Sequence, residues 1–596
     1  MKNGLKTILF LILMVVFLLG ITGCSGENPP KRLWLKTDTW SRALYLGETG
    51  GLSSPPLALD DQGQIFSLLF KPTVGRSGIY NPQLVKMDQT GRISGRFDLP
   101  HMISNPKESR LIIQGETIKV FFISRRSLFM GEVSTEGKLV GRFEVISGEA
   151  EVGSYDVVTK SSGEMILWYT GTRRNPGLYS LTFHGDQRDE DLIDNDGVRV
   201  NLVLDQNEIL HASWAHYPLG YGEIDWIYGY YPEEKFQSGR ETFIFTRGIS
   251  SALQIEGPCM GLDDQHVYIL WSEKIVTGLD AGSGTSYLQS FPVGAVEKIT
   301  EPRKMLAPRS SGLQKDYLEP GGFKTGERIS LQEENFFPAN GLFDLDTNQD
   351  QYFETALAFQ STMEYSWRQT KNQINIIYLS EGEITSFQPL SFSSTPSKEP
   401  RVSNDQIGNL YLVWLEDRGN MNDVYFATTN PEYMKFLNKI TGEDVLILAG
   451  EMAFGLLAGI ILSPFAAAVW GGLSMIALLI NKFFIRFQKQ AIQNLGQILS
   501  LAGALFIYWW LKFATLPGID GDYVPFSAWI PRIPEGLEGP LKIGVPVVIG
   551  LVALFLAWNF TYRKKNTSPM YFLMIYAGVD ALFSTAVYGV LIYGTF

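Results

Sequence analysis

Cations recur at one position of a repeated pattern in this chain. Arg125 and Arg126, Arg173 and Arg174, Lys274 and Arg418 each follow closely on an apolar run that ends in an aromatic residue. Such groups, brought to one face, grip carboxylates or phosphates by forked hydrogen bonds. Two readings are open. The cations form a ring around a common opening and hold an anionic ligand, or each pairs with a local acid, as Asp417 beside Arg418 suggests. A second set, Glu451, Lys512 and Asp580, lies in strongly apolar surroundings. A charge there needs a partner or a proton, because burying it alone is costly. One use is a proton or ion path. The other is structural, a Glu451–Lys512 contact with Asp580 protonated or hydrogen-bonded.

Other polar clusters point to less. Asp344, Asp346, Asn348 and Asp350 alternate oxygen donors as a calcium loop does, but Gln349 stands where such loops want glycine and Thr355 where they want a bidentate glutamate. Asp186–Asp196 is acidic but irregular and reads as a solvated loop. His211 and His216, five apart on an expected strand, face opposite sides and make a poor metal pair. The only cysteines are Cys24 and Cys259, so no disulfide framework is expected, and Cys259 reads as a small buried apolar residue. No metal, cofactor or catalytic residue is assigned.

These residues need elements to position them. Between residue 51 and about 440, a turn rich in Asp, Asn or Gly leads repeatedly into an aliphatic strand ending near Trp or Phe. The turns begin at Asp60, Gln114, Ser161, Asp205, Asp263, Asp346 and Ser403, and the strand-end aromatics include Phe122, Trp168, Trp214, Trp271, Phe359 and Trp414. Their spacing is near the roughly 40–50 residues of a propeller blade, with two longer gaps. Stacking such units radially buries faces that none can cover alone. Pro400–Ala427 is the clearest copy, with its Gly408 turn, its Tyr411-Leu412-Val413-Trp414 strand and its Asp417-Arg418 loop. It resembles the repeats of sialidase-like β-propellers. The resemblance implies an all-β ectodomain of about seven blades, within a range of six to eight because of the interval between Trp271 and Phe359. A pair of β-sandwiches is the alternative. A sialidase-like activity needs an arginine cluster, a Tyr–Glu pair and an acid, but the family's Phe-Arg-Ile-Pro marker is absent from the blades.

The chain's two ends are apolar. Val445–Ile480, Leu495–Leu516, Ile543–Tyr562 and Met570–Tyr593 are long enough to span a bilayer, which takes roughly 17–25 residues. Lys482, Arg486 and Lys489 form one basic cluster and Arg563, Lys564 and Lys565 another, while the interval 517–542 holds Asp520, Asp522, Glu535 and Glu538. Basic connections stay cytoplasmic. About four spans follow, the first crossing once, either kinked at Pro464 or with a re-entrant portion. The propeller and Phe596 then lie outside. At the other end, Lys2 and Lys6 precede an apolar run from Ile8 to Leu19 and then Ile21-Thr22-Gly23-Cys24. This is a secretory signal pattern, and its exit resembles the lipobox of bacterial lipoproteins, which implies cleavage before Cys24 and lipid on that residue. An uncleaved signal anchor is the other reading.

The expected organisation is a signal peptide over 1–23, a lipidated tether over 24–50, a propeller over 51–440 and a helical membrane domain over 441–596. The formal charge of −12 hides an asymmetry. The leader carries +2, residues 444–596 carry +2, and residues 24–443 therefore −16. That balance excludes nucleic acid as a partner. The expected role is binding or scaffolding at the cell surface, toward a glycan, peptide or protein, with membrane lipid and other membrane proteins as further partners. A carbohydrate-active hydrolase and an accessory subunit of a transport or export assembly are the alternatives. A hydrolase predicts Arg, Tyr and Glu clustered at the propeller's centre, a binding module an aromatic or neutral opening, and a transport subunit partner helices on the Gly455/Gly459 face.

Overall fold

A computed structural model describes residues 40–593 apart from 309–335, 516–534 and a number of shorter stretches. Seven antiparallel sheets of four main strands each follow one another along the chain. Blades 1 to 6 cover 57–98, 107–145, 152–194, 197–248, 253–304 and 343–389. Blade 7 takes three strands from 397–428 and its fourth from Leu44–Thr49, which pairs with Asn422–Thr428. Six residues expected in the tether thus belong to the propeller and close its ring. The interval between Trp271 and Phe359 holds, among the described residues, a two-stranded ribbon of Leu306–Pro308 with Phe336–Pro338 and no eighth blade.

The anticipated turns join the first and second strands of each blade. Asp60, Asp205 and Asp405 each accept two backbone N–H groups of their own turn, at 2.7–3.1 Å. A short side chain that satisfies its own turn is why Asp recurs there. The six strand-end aromatics are all buried, and Trp168 meets Trp214 of the next blade edge-on at 6.3 Å. One expectation is corrected. Gln187–Asp194, expected in a loop, is the outer strand of blade 3. Its charged sequence suits a sheet edge that must not pair with other chains.

Strand direction gives the propeller two distinct faces. First strands begin, and second strands end, on the upper face, as the pairs Lys107 with Ile123 and Ser397 with Glu416 show. The chain enters blade 7 at Leu44 and leaves it at Thr428, both on the lower face. Helix α1, Pro431–Leu437, is capped by Asn430 and lies against this lower face, where Tyr433 donates to Gly63 O and packs beside Gly91. Arg42 ties the incoming strand to the outgoing chain, its N–H reaching Asn438 Oδ1 at 2.8 Å and its guanidinium Lys439 O at 3.3 Å.

Helix α2, Gly442–Ile485, starts at once and runs unbroken through Pro464, so the first apolar stretch is one crossing with no re-entrant part. Helices α3 (Gln490–Thr515), α4 (Glu535–Thr561) and α5 (Pro569–Tyr593) complete four apolar helices long enough to cross a membrane. Helix α5 packs between α2 and α4. Gly459 of α2 lies against the backbone of Thr585, leaving no room for a side chain. The glycine face expected to meet other proteins is thus used, at Gly459, inside this chain.

Candidate functional site

The charged residues that matter most converge on the propeller axis. Each first strand lines it, and those of blades 2 to 7 shift register near their upper ends. Such bulges re-aim side chains and gather next to active sites. At three of them a non-glycine residue holds a left-handed backbone: Glu108 at φ 44°, Arg199 at 57° and Glu399 at 52°. A conformation this sparsely populated persists only where the surroundings impose it.

The bulges bring together Arg110 from blade 2, Arg199 from blade 4 and Arg401 from blade 7, with Glu108 and Tyr155 between them. Arg110 Nη2 lies 3.4 Å from Asp156 Oδ1. The other Asp156 oxygen accepts from Leu202 N at 2.8 Å and Asn201 Nδ2 at 3.2 Å. Arg401 donates to Ser109 O, joining blade 7 to blade 2 across the ring. Arg199 donates to Ile255 O and, at 3.4 Å, to Gly257 O of blade 5. Glu108 is fixed through its N–H, which donates to Ser53 Oγ at 3.1 Å.

Electrostatics shows how close these groups are. Burial pushes the Glu108 carboxyl above the ordinary carboxylate range, and Arg110, Arg401 and Arg199 all pull against that shift. Burial brings Arg199 down to about 10, with Arg173 adding to the effect. Burial also raises the Tyr155 phenol, and its hydroxyl is buried without a hydrogen-bond partner among the described residues. Glu108 thus lies in the field of three guanidiniums and beside the Tyr155 phenol. This opening is neither aromatic nor neutral. It is the Arg, Tyr and Glu set named above for a hydrolase.

The anticipated cations lie on the same upper face, at the hairpins between second and third strands. Arg125 and Arg173 are exposed. Lys274 ends the second strand of blade 5 and is half-buried. Arg418 is held by Asp423 at 2.5 Å and by Glu48 at 3.8 Å, and Arg126 by Glu151 at 2.6 Å, so for these two the local-pair reading applies. Cys24 lies outside the described residues, as do 348–350 of the calcium-like run. His211 meets Tyr228 at 2.7 Å and His216 meets Asp194 at 2.8 Å, two unrelated contacts.

Within the helices the expected pairing is corrected. Lys512 Nζ binds both oxygens of Asp580, at 2.9 and 2.8 Å, and Tyr508 donates to Asp580 at 2.8 Å. Lys512 and Asp580 are fully buried. Glu451 precedes the apolar span, which begins at Ala453. From the Gly459–Thr585 contact, Glu451 stands roughly 20 Å along the bundle from Asp580 at 1.5 Å per residue. Helix α2 has 44 residues, or about 66 Å, and overhangs a hydrocarbon layer of about 30 Å.

The axial residues escaped sequence reading although Arg401 sits in the clearest repeat. The available signal was charge inside an otherwise apolar first strand, as in Lys107-Glu108-Ser109-Arg110-Leu111.

Solved structures share the propeller only distantly. Polysaccharide lyase Uly1 is 9% identical with a TM-score of 0.42, covering 64% of this chain and 90% of its own. A PL25 ulvan lyase bound to GlcA(1-4)Rha3S is 10% identical with a TM-score of 0.42, covering 67% and 100%. Penicillium chrysogenum alpha-L-arabinanase complexed with arabinobiose is 9% identical with a TM-score of 0.29, covering 46% and 92%. Likenesses at this level carry no functional argument. No protein-family model matches the chain, and no curated protein does. What the fold defines is a seven-bladed propeller followed by a four-helix membrane domain. With basic connections inside, the propeller is extracytoplasmic.

Proposed function

We propose that the propeller is a cell-surface binding module for an acidic glycan, held at the axis by Arg110, Arg199 and Arg401. The observation that carries this is the field at Glu108, where three guanidiniums from three separate blades act on one carboxyl. A ligand carboxylate at that spot gains the same attraction in a largely dry site, where charge-assisted hydrogen bonds are strongest. Both ends of the propeller leave its lower face, beside the first membrane helix, so the axial opening on the upper face points away from the bilayer. The ligand comes from outside the cell and not from lipid headgroups. Lipid at Cys24, after removal of residues 1–23, fits this geometry, because Arg42 holds the tether's end beside the start of α2. In that case lipid and helix anchor a single point of the lower face.

The test is titration of full-length protein in nanodiscs with galacturonate and with galactose. Saturable binding of the acid alone supports the proposal, and equal binding of both sugars, or of neither, removes it. Cleavage of the glycan is a second reading, favoured by one observation: burial pushes the Glu108 carboxyl upward beside a Tyr155 hydroxyl that has no hydrogen-bond partner among the described residues. An acid and a phenol so placed suit proton transfer to a glycosidic oxygen. Release of reducing ends from an acidic polysaccharide by wild type, and none by Glu108→Gln, separates cleavage from binding.

A further inference from the structure

Charge on the propeller is sorted by face. The described lower hairpins between first and second strands, those of blades 1 to 5 and 7, each carry an acid, from Asp60 and Asp61 in blade 1 to Asp405 in blade 7. The upper hairpins of blades 1, 2, 3 and 7 carry cations instead. The upper face carries acids as well, and there Glu151 pairs with Arg126 while Glu48 and Asp423 pair with Arg418. Arg125, Arg173 and Arg174 are exposed there, and none has a hydrogen-bond or ion-pair partner among the described residues. The rim adjoins the axis, since the Arg199 N–H donates to Thr170 Oγ1 at 3.1 Å, three residues before Arg173.

We infer that the upper rim is an interaction surface for an extended polyanion, an acidic polysaccharide lying across Arg125, Arg173 and Arg174 while one of its carboxylates occupies the axial cluster. This rests on the axial reading above and adds that the ligand is a polymer. The fit is one of charge and place. A monomer at the axis leaves the rim cations to water, whereas a chain with a charge on every residue meets axis and rim together. Linking contacts in this way raises affinity without any new kind of contact. The acidic lower face is closed to the same polymer and is repelled by anionic headgroups. A polyanion therefore has one face to approach, the one remote from the bilayer.

The test uses full-length protein in nanodiscs with polygalacturonate, galacturonate and neutral dextran, at low and high salt. Wild type binds polygalacturonate about a hundredfold more tightly than galacturonate, with a steep salt dependence, and does not bind dextran. Arg125→Gln/Arg173→Gln/Arg174→Gln lowers polymer affinity about tenfold and flattens its salt dependence. The triple variant leaves the melting temperature unchanged because the side chains are exposed, and Arg125→Gln/Arg174→Gln leaves galacturonate affinity unchanged as well. If the triple variant's polymer affinity equals that of wild type, or dextran binds as well, the rim proposal is overturned while galacturonate binding keeps the axial site. If neither acidic probe binds, both fall.

Discussion

The protein buries charge in two places and uses it in opposite ways. In the helical bundle, Lys512 and Asp580 face each other with Tyr508 completing the set, and all three are closed off from solvent. Lys512 lies near the outer end of α3, where a lysine ordinarily stretches toward water, yet it turns to Asp580. At the propeller axis, the charges are shared among several blades. Arg110, Arg199 and Arg401 come from three blades, held by Asp156 and by backbone carbonyls, around a carboxyl that burial pushes upward and a phenol without a hydrogen-bond partner among the described residues. A closed pair holds elements together. A set shared among blades and carried on strained backbone is, on the function proposed above, what holds a ligand.

That contrast breaks first at the bundle. Asp580→Ala leaves an ammonium alone among apolar helices, and detergent melting should register about 3–5 kcal/mol of lost stability. The double variant Lys512→Met/Asp580→Leu should recover most of it. Equal damage from the single and the double variant would remove the pairing account. Next in size is Gly459→Leu, which drives a side chain into the Thr585 backbone and should cost about 1–3 kcal/mol in the same assay, while Gly472→Leu, with open space at its Cβ, should cost little.

The axis gives smaller and differently signed effects. The raised Glu108 carboxyl binds its proton more tightly folded than unfolded. Its ionisation therefore subtracts stability as pH climbs from the ordinary glutamate range through the folded-state pKa, and the loss is complete above it. Glu108→Gln should melt higher than wild type at neutral pH and alike in acid, below the unfolded-state pKa. A constant difference across pH would contradict the burial account. Tyr155→Phe removes a hydroxyl that makes no hydrogen bond among the described residues, so stability should stay within about 1 kcal/mol or rise. Galacturonate binding should weaken if the phenol meets the ligand.

What could be read from sequence follows range of interaction. The Asp and Gly turns, the buried aromatics from Phe122 to Trp414 and the four spans are local patterns that report local structure. The closing strand Leu44–Thr49 could not be read, because its partner Asn422–Thr428 lies at the far end of the propeller segment. The Asp580 partnership was mistaken because depth was counted in residues, and α2 is far longer than the bilayer is thick. Of the candidate site, the hairpin cations were visible from their position after the aromatics. The axial set was not, since Arg110, Arg199 and Arg401 sit far apart in sequence and meet only once seven blades close around bulged strands.

The most direct test of the open axial site is galacturonate affinity in two variants of the intact protein, Arg199→Gln and Glu108→Gln. The account predicts opposite changes: binding is lost when a guanidinium goes and tightens when the resident carboxyl, competing for the same arginines, goes. Affinities that fall together, or that match wild type in both, would contradict it.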